Sequence, residues 1–154
     1  MNAMTKSSKI KVRVVSEKDL ADIFRIELEA FGKEAYPKWV FQQGAKLLRR
    51  TFMVAELDGK AIGYVMAHVK GKIGEIISIA VHPQHRRKGI GELLMEEIIR
   101  KLQSEFGVKR VKLQVKVSNK PAIKLYEKLG FKIGARLKEY YPDGEDAYEM
   151  YLDL

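Results

Sequence analysis

Cysteine is absent from the 154-residue sequence. Its absence excludes a disulfide scaffold, a thiolate zinc site and a cysteine nucleophile. The three histidines lack the spacing of metal ligands, so we expect no metal. No apolar run approaches the ~18 residues that a membrane-spanning helix needs. The polar start of the chain lacks the apolar core of a secretory signal. We therefore expect a cytoplasmic protein without a membrane association.

Prolines are few, four in all, and no stretch is rich in Pro, Gly or Ser. No linker or internal repeat is visible, which favours a single domain over residues 10–154, preceded by a flexible tail over residues 1–9. Apolar residues form 46% of the chain, which is enough for a core.

Charge is unevenly distributed along the chain. Thirteen Lys or Arg and five Glu lie between His82 and Lys132, whereas residues 139–154 contain six acidic and no basic side chains. The first segment is expected to attract anions and the second cations. The basic segment has no interleaved aromatics and no helix-turn-helix or zinc-finger spacing, so nucleic acid is not the expected partner.

Hydrophobic periodicity predicts an α+β fold, with a mixed central sheet of about seven strands, about four helices and the order β-α-α-β-β-β-α-β-α-β-β. The predicted strands are 10–15, 51–57, 61–69, 73–81, 108–117, 131–137 and 147–152, and the predicted helices are 17–31, 37–48, 89–106 and 120–129. Ser16 and Asp19 are close to a capping box at the first helix. Asp58-Gly59 is typical of a tight hairpin turn.

The sharpest functional signal is the hexapeptide RRKGIG at residues 86–91, between a predicted strand and a long predicted helix. A helix N-terminus presents unpaired N–H groups and a partial positive charge, and glycines let the backbone approach a phosphate closely. The spacing R-x-x-G-x-G differs from the P-loop and dinucleotide-binding patterns. The alternative interpretation is a glycine-containing helix start with surface Arg and Lys.

Three segments resemble known enzymes. Residues 77–94, ISIAVHPQHRRKGIGELL, resemble the acetyl-CoA signature of the GNAT superfamily of N-acetyltransferases, and residues 118–131, SNKPAIKLYEKLGF, resemble a second segment of that family. The ending YYPDGEDAY at residues 140–148 resembles protein N-terminal acetyltransferases of the archaeal and NatA types. The resemblance covers roughly residues 10–154. It implies transfer of the acetyl group of acetyl-CoA to the α-amino group of protein N-termini, and it is compatible with a ribosome or an auxiliary subunit as partner.

The resemblance also implies a cofactor site. The backbone of Ile79, Ala80 and Val81 is expected to pair with the pantetheine arm. The pyrophosphate is expected to be held by Arg86, Arg87, Lys88, Gly89, Ile90 and Gly91. Asn119 stands where the family contacts the cofactor or the substrate amide, but it also fits a helix N-cap, and one side chain can hardly do both.

Catalytic residues follow from the same resemblance. Tyr126 resembles the tyrosine that protonates the leaving CoA thiolate, although it also fits the apolar stripe of its helix. Glu34 and Glu75 each resemble a general base in different members, and neither is preferred. Gln114 stands where some relatives carry a Glu or His base, and an amide accepts no proton at neutral pH. A water-relayed base would suffice for an α-amine, whose reference pKa is near 8.

The substrate peptide is expected to contact three aromatic residues that resemble the clamp of the family, Tyr36, Tyr140 and Tyr141. The acidic run after Tyr141 would favour an incoming ammonium group. Two alternatives stay open. The acceptor could be a lysine side chain, a polyamine or an antibiotic, or the chain could be a non-catalytic module that binds acetyl-CoA or nucleic acid.

Overall fold

Residues 9–154 are described by a computed structural model of the chain, and they form seven strands and four helices in the predicted order. The elements are β1 (Lys11–Val14), α1 (Leu20–Phe31), α2 (Lys38–Leu47), β2 (Phe52–Leu57), β3 (Lys60–Lys70), β4 (Ile73–Val81), α3 (Ile90–Phe106), β5 (Arg110–Lys116), α4 (Lys120–Lys128), β6 (Lys132–Leu137) and β7 (Ala147–Asp153). Hydrogen bonds link the strands in the order β1-β2-β3-β4-β5-β7-β6, and β4 and β5 are parallel. This mixed sheet confirms the predicted fold class. The flexible tail predicted for residues 1–9 lies outside the described residues, apart from Lys9.

The chain divides into two compact units, of which the first contains the residues up to Ala67 together with Ser78–Ile98. In this unit β1 and β2 are antiparallel, and β2 continues into β3 through the predicted hairpin. Asp58 and Gly59 both have left-handed backbones, with φ of 50° and 82°, which suits the twist of the flanking strands. The aromatic core contains Phe41, Phe52 and Tyr64, whose ring centroids are 5.6–6.4 Å apart.

Helix α1 belongs to the first unit, in which it buries Ile23, Ile26 and Glu27. It is preceded by a turn of 3-10 helix (Glu17–Asp19) that forms the predicted capping box, in which the Ser16 N–H donates to Asp19 at 2.8 Å. Arg13 donates two hydrogen bonds to the same carboxylate, at 2.8 and 2.9 Å. Burial alone would raise the pKa of Asp19, but the bonds from Arg13 and Ser16 outweigh it and lower that pKa. The start of α1 is therefore fixed by an ionised carboxylate.

The second unit contains His68–Ile77 and Ile99–Leu154. Its strands β5, β7 and β6 are antiparallel neighbours, while the start of β4 runs parallel to β5, from Ile73 opposite Arg110 to Glu75 opposite Lys112. Alternate residues of β5 are buried, which leaves Gln114 half-buried on the other face, directly opposite Glu149 of β7. This register brings the polar side chains of Gln114 and Glu149 next to each other.

Candidate active site

The RRKGIG segment lies between β4 and α3, as predicted. A short 3-10 turn follows β4, and the loop then takes left-handed conformations at Arg87 and Gly89, with φ of 64° and 77°. Arg86 Nε donates to the carbonyl oxygen of Val81 at 3.0 Å, which holds the loop against the end of β4. A Cβ added at Gly89 would meet no atom within 4 Å, so the space beside this backbone is open. Left-handed residues next to a helix N-terminus form an anion-binding backbone, and the segment fits a phosphate group.

The end of β4 carries the residues predicted to pair with pantetheine. Burial alternates along the strand, with Ala80 buried and Ile79 and Val81 half-buried. The parallel ladder with β5 has its last pair at Glu75, so Ile79 lies four residues further along the strand. The side chains of residues 79–81 can pack within the protein while their backbone groups pair with the pantetheine arm, as the resemblance implies.

Asn119 precedes helix α4 as its N-cap, and Tyr126 lies within the helix. Asn119 Oδ1 accepts a hydrogen bond from the Ala122 N–H at 3.3 Å, so the N-cap role is realised. Tyr126 is 8% exposed, and its ring centroid lies 5.9 Å from that of Phe131. Burial raises the pKa of Tyr126 to about 12. The phenol is therefore protonated at neutral pH, which is the state that a proton donor requires.

Two carboxylates in the second unit share one amide. Gln114 Nε2 donates to Glu75 Oε2 at 2.9 Å and to Glu149 Oε2 at 3.0 Å. His68 Nε2 lies 3.3 Å from the other oxygen of Glu75. The sequence singled out Glu75 and Gln114 but missed Glu149. The signal that could have found it is the alternation of β7, which puts Glu149 on the face opposite the buried Met150.

Tyr140 lies close to this carboxylate pair. Partial burial and then the negative charges of Glu75 and Glu149 raise the pKa of Tyr140. Its ring stands edge-on to that of Tyr141, with centroids 5.1 Å apart. Lys116 Nζ lies 5.4 Å from the Tyr141 ring centroid. The structure therefore brings together Glu75, Tyr140 and Tyr141, all within the second unit.

The other candidate base, Glu34, and the other predicted substrate residue, Tyr36, belong to the first unit. Glu34 is half-buried in a 3-10 turn (Gly32–Glu34) after α1. Tyr36 is 45% exposed and stands edge-on to Phe41 at 6.4 Å. The predicted clamp of Tyr36 with Tyr140 and Tyr141 stays a prediction. Glu27 of α1, a buried carboxylate that no motif of the sequence singled out, accepts a hydrogen bond from the Tyr36 N–H at 2.9 Å.

Across residues 9–154, no group of three or more His, Asp or Glu is placed to hold a metal ion. None of the helices in this range is long and apolar enough to cross a membrane.

A strand, a turn whose backbone can accommodate an anion and a helix follow one another in this mixed sheet, which suits a transferase whose donor carries phosphates. The profile of the Acetyltransferase (GNAT) family matches residues 18–131. The chain belongs to the GNAT family of acetyltransferases. It is an acetyl-CoA-dependent N-acetyltransferase, as the sequence predicted.

Two archaeal relatives have the description N-alpha-acetyltransferase. The one from Sulfurisphaera tokodaii is 38% identical, over 94% of this chain and 93% of its own length. The one from Saccharolobus solfataricus is 39% identical, over 76% of this chain and 77% of its own length. Among solved structures, Ard1 from Thermoplasma volcanium superposes with a TM-score of 0.87 at 29% identity, covering 94% of this chain and 97% of that one.

Proposed function

We propose that this enzyme acetylates the α-amino group of protein N-termini, by direct attack of the neutral amine on the thioester. The observation that carries the proposal is the pair of carboxylates, Glu75 and Glu149, held by one amide beside Tyr140. Carboxylate oxygens accept strong hydrogen bonds from an ammonium group, and an aromatic ring next to them can contact the first residues of a peptide. The archaeal N-alpha-acetyltransferases support the same acceptor.

The acceptor must be neutral when it attacks. An α-amine has a reference pKa near 8, so about a tenth of it is neutral at pH 7, whereas a lysine amine with a pKa near 10.4 is neutral far more rarely. We assign proton removal to Glu75, directly or through a water, because Gln114 and His68 fix its two oxygens. Glu34 of the first unit is the alternative base.

Bound acetyl-CoA supplies the acetyl group as a thioester. The amine nitrogen forms a bond to the carbonyl carbon, the carbon–sulfur bond breaks, and the nitrogen gives its proton to the base. Tyr126 donates the phenol proton to the departing sulfur. Because a thiol has a pKa near 8.5, this donation is uphill for a phenol of pKa about 12 and must coincide with the departure of the sulfur.

The remaining predicted residues bind the two substrates. We assign the phosphates of the donor to the loop of residues 86–91, its pantetheine arm to the backbone of residues 79–81, and the peptide to Tyr36, Tyr140 and Tyr141. Asn119 supports this site as the cap of α4. We place the enzyme in the cytoplasm, where new chains appear, and a ribosome or an auxiliary subunit is a compatible partner.

The test is acetyl transfer to a lysine-containing peptide in two versions, one with a free N-terminus and one with a blocked N-terminus. Ser-, Ala- and Met-starting peptides are compared, and mass spectrometry locates the acetyl group. We expect acetylation only on free α-amines, and transfer to lysine in the blocked peptides would overturn the proposal. In the same assay, Glu75→Gln should lower the rate about 100-fold and Glu34→Gln far less. The reverse order would move the base to Glu34.

A further inference from the structure

Helix α1 buries a carboxylate that the reaction described above does not use. Glu27 is 2% exposed, in the interior of the first unit. Its Oε1 accepts hydrogen bonds from the Tyr64 hydroxyl and from Ser78 Oγ, the latter at 2.8 Å. Its Oε2 accepts from the backbone N–H of Tyr36 at 2.9 Å. All three donors are neutral, and burial of a carboxylate is costly unless it is well hydrogen-bonded.

The three donors come from three separate parts of the first unit. Tyr64 belongs to β3 and is fully buried, and Ser78 belongs to β4, immediately before Ile79. Tyr36 lies in the segment between α1 and α2. The Tyr64 hydroxyl and Ser78 Oγ are 3.1 Å apart, and each donates its one proton to Oε1, so the two groups converge on the same carboxylate oxygen. One side chain thus connects the strand that carries the predicted pantetheine contacts to the loop that carries the predicted peptide contact.

We propose that Glu27 is a positioning residue, which holds the Tyr36 loop at a fixed place relative to the end of β4. The inference rests on the proposed function, because the peptide is what the Tyr36 loop would meet. The effect is on presentation of the acceptor rather than on the chemistry of the amine. Glu27 reaches the loop through a backbone N–H, so it fixes the loop whatever side chain the loop carries.

Length and charge make different demands on this position. Glutamine has the same length, its amide oxygen can accept from the Tyr36 N–H, and its NH₂ can donate to the two hydroxyls, which are also acceptors. Aspartate keeps the charge but is shorter by one carbon–carbon bond, about 1.5 Å. It cannot bond to the hydroxyls and to the Tyr36 N–H together. If Glu27 acts by positioning, the Gln variant should keep more activity than the Asp variant. If Glu27 acts through its charge, the Asp variant should keep more activity than the Gln variant.

The test compares Glu27→Asp and Glu27→Gln for the KM of the peptide, the KM of acetyl-CoA and kcat. We expect Glu27→Asp to raise the peptide KM at least about tenfold, and Glu27→Gln to raise it by no more than about threefold. The KM of acetyl-CoA should change much less than the peptide KM in both. Amide hydrogen exchange supplies a readout without substrate, since the Tyr36 N–H should exchange faster in Glu27→Asp and not in Glu27→Gln. Glu29→Asp, on the exposed face of the same helix, is the matched control.

Two results would overturn the proposal. One is a Gln variant whose peptide KM rises as much as that of the Asp variant, and the other is an Asp variant with normal peptide KM and normal exchange of the Tyr36 N–H. If Glu27→Asp does not fold, Tyr64→Phe decides, because it removes one anchor of Oε1 and keeps the ring. It should raise the peptide KM about threefold, and an unchanged value would count against Glu27. If the wild-type enzyme prefers a lysine acceptor, the proposed function fails, while the exchange comparison still tests Glu27.

Discussion

At the level of single residues, Tyr126 combines a packing role with a predicted catalytic role. It is 8% exposed and packs against Phe131. Tyr126→Phe keeps the ring and removes only the hydroxyl, so we expect kcat to fall about 100-fold while the Kd of acetyl-CoA changes by less than about threefold. Steady-state kinetics and a binding titration measure both. Tyr151→Phe, in β7 of the same unit, is the control, and near-normal turnover of Tyr126→Phe would remove Tyr126 from the mechanism.

Tyr126→Phe should also change how the free energy of unfolding depends on pH. Burial raises the pKa of Tyr126 to about 12 in the folded chain, whereas the unfolded chain loses this proton near pH 10. The unfolded state then binds fewer protons, so the contribution of Tyr126 is complete below pH 10 and is lost as the pH rises towards 12. The free energy of unfolding, measured in urea, should fall between pH 9 and pH 11.5 by about 2 kcal/mol less in Tyr126→Phe than in the wild-type enzyme.

Local features were predictable where a local motif carries them. The loop glycines and the cap at Asn119 follow from spacing within a few residues, whereas the catalytic role of Tyr126 is implied by the resemblance and stays a prediction. Glu27 and Glu149 were missed because their roles depend on partners far along the chain, Ser78 at 51 residues and Gln114 at 35 residues. Periodicity predicted the helix that contains Glu27, but it does not show which donors the folded chain brings to this side chain.

At the level of elements, the turn before α3 is held in a conformation that only glycine adopts without strain. Gly89 has a φ of 77° and open space beside it, so an added Cβ costs about 1–2 kcal/mol through the backbone rather than through a clash. We expect Gly89→Ala to raise the Kd of acetyl-CoA about tenfold or more, because the loop relaxes away from the phosphates. Calorimetric titration measures the Kd.

Gly59→Ala is the matched control for that change. Gly59 has a φ of 82° and also no atom within 4 Å of an added Cβ, but it lies in the β2–β3 hairpin. Both variants should lose similar stability in thermal unfolding, and only Gly89→Ala should lose affinity for acetyl-CoA. Equal affinity in the two variants would exclude this turn from the donor site.

Elements themselves were predicted well, because periodicity, caps and turn residues act over short distances. Examples are the Asp58-Gly59 turn and the helix predicted over residues 89–106, in which Ile90, Leu94, Ile98 and Leu102 are all 3% exposed or less. The strand order could not be predicted in this way, because β7 lies between β5 and β6, out of sequence order. Pairing between distant strands depends on packing of the assembled core, which no local pattern contains.

At the level of the whole molecule, the net charge of +9 is less segregated than the sequence indicates. Three carboxylates of the acidic segment form ion pairs with basic side chains earlier in the chain: Asp143 with Lys116 at 2.7 Å, Asp146 with Arg136 at 2.7 Å and Asp153 with Arg110 at 2.6 Å. The expected attraction of an ammonium group by the acidic run is therefore weakened, and Glu149 near Tyr140 also has Lys112 Nζ at 3.9 Å. In contrast, Arg87 and Lys88 of the loop are exposed.

This distribution predicts that salt acts mainly on the phosphates of the donor. From about 0.1 M to about 1 M salt, the screening length falls from about 10 Å to about 3 Å. We expect the KM of acetyl-CoA to rise several-fold over this range, because exposed cations attract its phosphates through solvent. Acetyl-pantetheine carries the same thioester without the phosphates, so its KM should respond little in parallel assays. An equal response of both donors would mean that salt acts on the fold or on the peptide, and that the charge excess does not serve donor binding.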